Sequence, residues 1–129
     1  VIDIAKRATV NRIRTGRGAH NFRGMGDKRH LLVTNRVDNT VSIIDMREQK
    51  VVGQIAVPGG PDCIAFDPDG RLWATLRWAG RIVRLDTRTG EWETIRVGRS
   101  PHGIFVHPRR AETEGVPQTA AAPPATQTR

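Results

Sequence analysis

A repeat with a period of about 41 residues constrains the fold of this chain more than any other feature. Residues 30–45 (HLLVTNRVDNTVSIID) match residues 71–86 (RLWATLRWAGRIVRLD) at a constant shift. In the same frame, Asp3, Asp45 and Asp86 fall in register. Because independent landmarks agree on one period, the chain is a repeat array in which neighbouring units bury each other's apolar faces.

Each period has the pattern of four short β-strands joined by tight turns. In the clearest copy the strands are PDCIAFD, RLWATLR, RIVRLD and EWETIRV, rich in β-branched and aromatic residues and bounded by Gly, Asp or Pro. The DPDG segment at residues 67–70 is typical of a hairpin turn. No segment has a sustained helical period. Four strands in about 41 residues predict the blade of a β-propeller.

The strand count is too low for a closed ring. Labelled a to d from the inside out, the predicted strands are c and d in residues 1–15, full sets in 20–57 and 61–97, and a lone a strand in 102–107. Propellers usually have four to eight blades. We therefore predict an all-β, partial β-propeller over residues 1–110. We favour a fragment of a longer propeller; the alternatives are self-association or a partner chain that completes the ring.

The remaining residues, 111–129 (AETEGVPQTAAAPPATQTR), differ in composition from the repeats. They are rich in Ala, Pro, Thr and Gln and carry little large apolar surface. Such a segment cannot bury enough apolar area to offset the entropy of ordering. We predict a disordered tail.

Three loops that lead into strand a carry the candidate site residues. In register they read RTGRGAHNF, VPGGPDCI and VGRSPHGI, and the residue just ahead of strand a is His20, Asp62 or His102. In a propeller this loop ends beside the central channel, so we expect the three side chains to form an arc around its mouth. They suit a metal ion, a polar or anionic ligand, or proton transfer. The alternative is structural hydrogen bonding of each side chain to its own turn or to the next blade.

Arginines accompany these loops. Arg36 and Arg77 each follow strand b, and Arg17 and Arg99 precede the histidine loops. With 21 Lys and Arg against 13 Asp and Glu, the formal net charge is +8. A positive rim favours a carboxylate, phosphate or nucleic-acid ligand, and the alternative is ordinary solvated arginine.

Other residues limit the chemistry. The single cysteine, Cys63, excludes an internal disulfide, and its apolar neighbours predict a buried thiol rather than a nucleophile. The repeated aspartates Asp3, Asp45 and Asp86 are expected to accept hydrogen bonds from turn N–H groups. The chain has no nucleotide-loop or hydrolase motif, needs no cofactor by its sequence, and has no membrane span.

The segment LLVTNRVDNTVSIIDMREQKVVGQIAVPGGPDCIAFDPDGRLWAT resembles the YVTN-type β-propeller repeat family, and the loops resemble its bacterial extracytoplasmic branch. The resemblance implies a ligand- or partner-binding scaffold with a periplasmic or extracytoplasmic location. The sequence shows no signal peptide, so a complete chain would be cytoplasmic.

Two further functional readings stay open beside the scaffold. The loops also resemble those of streptogramin lyase, which implies an enzyme with His102 as general base and His20 or Asp62 assisting. Nucleic-acid binding through the basic rim is the lesser alternative.

Overall fold

The computed structural model describes residues 1–107, and its regular elements are all β-strands. Residues 108–129, which include the predicted tail at 111–129, lie outside the described residues. Within the described part, no helix is long and apolar enough to cross a membrane. The strands are β1 (Ile2–Asp3), β2 (Ala8–Thr9), β3 (Ala19–Gly24), β4 (His30–Asn35), β5 (Thr40–Asp45), β6 (Lys50–Ala56), β7 (Pro61–Phe66), β8 (Leu72–Leu76), β9 (Arg81–Leu85) and β10 (Trp92–Arg96).

The strands form two blades and part of a third. Strands β3 to β6 make one antiparallel four-stranded sheet in chain order, and β7 to β10 make another. The short strands β1 and β2 pair with each other only. This arrangement confirms the predicted all-β, partial β-propeller.

The hydrophobic core lies between the two complete blades. The middle strands β4, β5 and β8 are buried along most of their length, whereas the outer strands β6 and β10 have many exposed positions. Burial on both faces explains why these strands carry consecutive apolar residues, such as Leu32 and Val33 of β4. The core residues come from both blades: Leu32, Val41, Val57, Ile64, Leu72, Ala74, Leu76, Val83 and Leu85.

A repeated threonine on strand b links neighbouring inner strands. The Thr34 hydroxyl donates to the Asp62 carbonyl at 2.8 Å and accepts from the Asn21 N–H at 3.0 Å. One repeat later, the Thr75 hydroxyl donates to the His102 carbonyl at 2.7 Å and accepts from the Cys63 N–H at 3.0 Å. These buried hydroxyls fix the backbone that carries the candidate site residues.

The repeated aspartates do what the sequence predicts. Asp3 accepts from a turn N–H through Oδ1, Asp45 Oδ1 accepts from the Arg47 N–H at 2.8 Å, and Asp86 Oδ1 accepts from the Arg88 N–H at 2.8 Å. Each side chain thereby closes the turn between strand c and strand d of its blade.

The prediction of a lone a strand over residues 102–107 is wrong, because these residues form no strand. Strand a needs the b strand of its own blade as hydrogen-bonding partner, and the described residues contain no such strand. The bond from Thr75 nevertheless holds the His102 carbonyl as the bond from Thr34 holds that of Asp62.

Candidate ligand site at the inner edge of the blades

His20, Asp62 and His102 come together where the inner strands of the blades meet. His20 and Asp62 are the second residues of β3 and β7, rather than the residues just ahead of these strands. His102 lies in the segment after β10. The rings of His20 and His102 have centroids 5.6 Å apart, and His102 Nε2 lies 3.9 Å from Asp62 Oδ1.

Asp62 is the centre of the cluster. Its carboxylate is fully buried, and Oδ2 lies 3.1 Å from Arg77 Nη1 and 3.5 Å from Arg36 Nη1. Its Oδ1 is in contact with His20 Nε2, and His102 Nε2 lies 3.9 Å from the same oxygen. Both imidazoles thus face the buried Oδ1, as a buried carboxylate oxygen requires polar partners.

Arg36 determines the tautomer of His20. Its Nη2 lies 3.2 Å from His20 Nδ1. A guanidinium group only donates hydrogen bonds, so His20 Nδ1 must be the acceptor. The neutral imidazole then carries its proton on Nε2, facing Asp62 Oδ1. Arg36 thus holds His20 in one ring orientation and one protonation pattern.

The positive charge of the cluster exceeds its negative charge. Arg36 and Arg77 directly follow β4 and β8, and both guanidinium groups turn toward the single carboxylate of Asp62. Their side chains are 28% and 35% exposed, so N–H donors that Asp62 does not use are open to solvent. The His102 side chain is 56% exposed at the same place.

Cys63 is a member of the cluster that the sequence analysis missed. The prediction of a buried core thiol is wrong, because the residue is only partly buried and its thiol faces the cluster. One ligand atom each from His20, Asp62, Cys63 and His102 lies within 4.8 Å of the others. Burial raises the pKa of the Cys63 thiol, and the charge of Asp62 adds to this effect.

An irregularity in β7 explains why neighbouring residues reach one site. Successive side chains of a regular strand point to opposite faces. The register of β7 against β8 shifts between Pro61 and Ile64, and such a bulge redirects the side chains at 62 and 63. Strand β3 has the same shift between Ala19 and Phe22, at the position of His20.

Two predicted site residues lie outside the cluster. Arg17 pairs with Asp38. The side-chain Nε of Arg17 lies 2.6 Å from Asp38 Oδ1, and the backbone N–H of Arg17 donates to Asp38 Oδ2 at 2.7 Å. This pair joins the loop before β3 to the turn between β4 and β5. Arg99 is exposed and lines a shallow depression beside Trp78 and Arg96.

Several solved structures resemble this fold. Hydrazine synthase from Kuenenia stuttgartiensis aligns with a TM-score of 0.60 and 26% identity over 71% of this chain and 27% of that chain. Virginiamycin B lyase from Staphylococcus aureus aligns with a TM-score of 0.59 and 23% identity, over 70% and 32%. The Cps50 (Swd1) propeller domain from Myceliophteria thermophila aligns with a TM-score of 0.56 and 16% identity, over 84% and 43%. The chain thus spans less than half the length of these structures.

The family assignment rests on a direct match of the sequence. A comparison with curated proteins gives no match. The model of the YNCE-like beta-propeller family matches residues 2–110, which is most of the chain. This match agrees with the two antiparallel blades and with the propellers found among similar structures. The chain belongs to the YNCE-like β-propeller family, as a partial propeller.

Proposed function

We propose that this β-propeller protein is a binding scaffold whose inner-edge cluster holds a small anionic ligand. The observation that carries the proposal is the charge of the cluster: two partly exposed guanidinium groups share one buried carboxylate. The excess positive charge and the unused N–H donors favour a carboxylate or a phosphate.

The packing around Arg36 and Arg77 supports selective binding rather than general attraction of anions. Asp62 orients both side chains before a ligand arrives, so less rotamer entropy is lost on binding. His20 holds the second Nη group of Arg36. His102 lies at the exposed side, where it can donate to or accept from a bound oxygen.

Calorimetric titration of the purified chain with inorganic phosphate and with malonate tests the proposal. We expect binding of at least one of them, and Arg77→Gln and Arg36→Gln should each weaken it about 10- to 100-fold, as expected for loss of a hydrogen bond to a charged group. Arg17→Gln is the matched control, because Arg17 pairs with Asp38 outside the cluster.

Two results would contradict the proposal. One is the absence of binding by either probe. The other is an equal loss for Arg17→Gln and Arg77→Gln, because binding would then follow net charge rather than the cluster.

A second candidate function is enzymatic, and the observation that favours it is the exposed ring of His102 beside the His20–Asp62 contact. In this proposal His102 acts as a general base and His20 or Asp62 assists. His102→Ala should then abolish turnover while circular dichroism stays unchanged. One substrate to screen is quinupristin, the compound bound by an inactive virginiamycin B lyase of similar fold. A reaction that persists in His102→Ala would exclude this role.

A further inference from the structure

The cluster contains a thiol for which anion binding has no use. The Cys63 thiol faces inward from β7 and groups with an aspartate and two histidines. Imidazole nitrogen, carboxylate oxygen and thiolate sulfur are the ligands that proteins use for Zn²⁺. The combination is therefore more specific for a metal ion than the His20–Asp62–His102 trio alone.

The distances are close to those of a tetrahedral site. Bonds of about 2.0 to 2.3 Å to Zn²⁺ place the ligand atoms roughly 3.3 to 3.8 Å apart. The four ligand atoms lie within 4.8 Å of one another, and His102 Nε2 is 3.9 Å from Asp62 Oδ1. The contact between His20 and Asp62 must open to admit the ion, and the exposed His102 ring must move inward.

The arrangement around Asp62 supports the same site. Both histidine Nε2 atoms face Asp62 Oδ1, with His20 in contact and His102 3.9 Å away, whereas Oδ2 of the same carboxylate faces two arginines. Oδ1 thus directs its lone pairs toward the two imidazoles, into the space between the four ligand atoms. A metal ion there would take the place of the His20 proton.

We propose that the cluster is a Zn²⁺ site with four ligands: His20 Nε2, Asp62 Oδ1, Cys63 Sγ and His102 Nε2. The thiol loses its proton to solvent, and the thiolate and the carboxylate balance the charge of the ion. The proton on His20 moves from Nε2 to Nδ1, because a metal-bound neutral imidazole is protonated at its other nitrogen.

Metal binding has a consequence for Arg36. With Nδ1 of His20 protonated, that nitrogen no longer accepts the Arg36 hydrogen bond, so Nη2 of Arg36 becomes free to donate to another acceptor while Nη1 stays beside Asp62. The freed N–H donor of Arg36 and the positive charge of Arg77, which metal binding does not change, then favour an anion beside the metal. This step rests on the proposed function, and it predicts that bound Zn²⁺ strengthens binding of phosphate or malonate.

Titration of the metal-free chain with Zn²⁺ alone tests the site. We expect one ion per chain. Co²⁺ substituted for Zn²⁺ should give a near-ultraviolet charge-transfer absorption from thiolate sulfur. Cys63→Ser should remove this absorption and weaken Zn²⁺ binding by more than about 100-fold, because loss of an outer-shell partner alone typically costs 10- to 100-fold.

His102→Ala provides a second variant at an exposed position, where loss of folding is not expected, and it should weaken Zn²⁺ binding in the same way. The control is His30→Ala, because His30 contacts Asp27 rather than the cluster. Failure of Zn²⁺ to bind, or binding that survives Cys63→Ser and His102→Ala, would overturn the inference.

The anion titrations are repeated on the metal-free chain, so that the two proposals fail separately. Zn²⁺ binding without anion binding would contradict only the proposed function. Anion binding without Zn²⁺ binding would contradict only the metal site.

Discussion

Asp62 determines the electrostatics of the inner edge. Its carboxylate has no exposed surface, yet it faces Arg36, Arg77 and His20. A buried charge of this kind is tolerated only when its partners surround it. The same residue also receives, at its backbone carbonyl, the hydrogen bond that ties β7 to the neighbouring blade through Thr34. Side chain and backbone thus place one residue at the junction of both blades.

Replacement of Asp62 should therefore destabilise the fold as well as the site. Asp62→Ala leaves Arg36 and Arg77 facing each other without their shared carboxylate. We expect a loss of about 3 kcal/mol in the free energy of unfolding, the low end of the range for a broken buried pair, because both guanidinium groups reach solvent. Urea denaturation measures it. An equal denaturation midpoint for Asp62→Ala and the unsubstituted chain would show that the ion pairs of Asp62 contribute nothing to the free energy of unfolding.

Residue-level chemistry was predictable only in part. The repeat register identified His20, Asp62 and His102 because a histidine or aspartate is not needed by the fold at that position. Cys63 was missed because its apolar neighbours suggest a buried strand face, and no local sequence pattern reveals the register shift of β7 between Pro61 and Ile64. The pairing of Arg17 with Asp38 was also missed, since the partners lie in different loops and no periodic pattern links them.

The strands and their turns follow closely from the sequence. Apolar strand segments and the aspartates that close turns recur with one period. The local sequence signals therefore agree with the repeated tertiary packing. The exception is the segment at 102–107. Its composition is that of an inner strand, but strand formation depends on a partner that local sequence does not supply.

The turn between β5 and β6 should make stability depend on pH. The Arg29 side chain, followed by the backbone N–H groups of Glu48 and Arg47, lowers the pKa of Asp45 from 3.8 to about 2. A lowered folded-state pKa contributes stability that is fully present above pH 4 and is lost as the pH falls toward 2. The difference in stability between the unsubstituted chain and Asp45→Asn should therefore shrink over this range.

Chemical denaturation at several pH values between 5 and 2 measures this difference. Lys6→Gln is a suitable control, because Lys6 lies in the equivalent turn of the first repeat but is largely exposed. A stability difference that stays constant down to pH 2 would contradict the assigned role of Asp45.

In the molecule as a whole, large apolar side chains are exposed in the first and the last described segments of the propeller. Ile2 and Ile4 on one side are 69% and 88% exposed, and Phe105 on the other is 78% exposed. Blades of a propeller bury such residues against each other, as the two complete blades do here. We propose that further blades cover these faces, from additional chain, another copy or a partner.

The mass in solution tests this proposal for the chain of 14.3 kDa. We expect it to associate, and Phe105→Asp should reduce the association by placing a charge on the exposed face. A folded monomer that shows no concentration dependence would exclude another copy of the chain as the cover of these faces.

The formal net charge of +8 is also a property of the whole molecule, and it attracts any polyanion. If nucleic acid were the ligand, affinity would fall steeply with salt concentration. It would also depend on arginines spread over the surface, such as Arg96 and Arg99, rather than on the buried carboxylate and its partners.

Mapping of phosphate or malonate binding by two-dimensional NMR tests the central claim most directly. Backbone amide signals of the chain are followed during the titration. We predict saturable shifts concentrated at His20, Asp62, Cys63 and His102 and at the arginines that follow β4 and β8. Shifts confined to the depression beside Arg96 and Arg99, or spread evenly over the surface, would show that the inner-edge cluster is not the binding site.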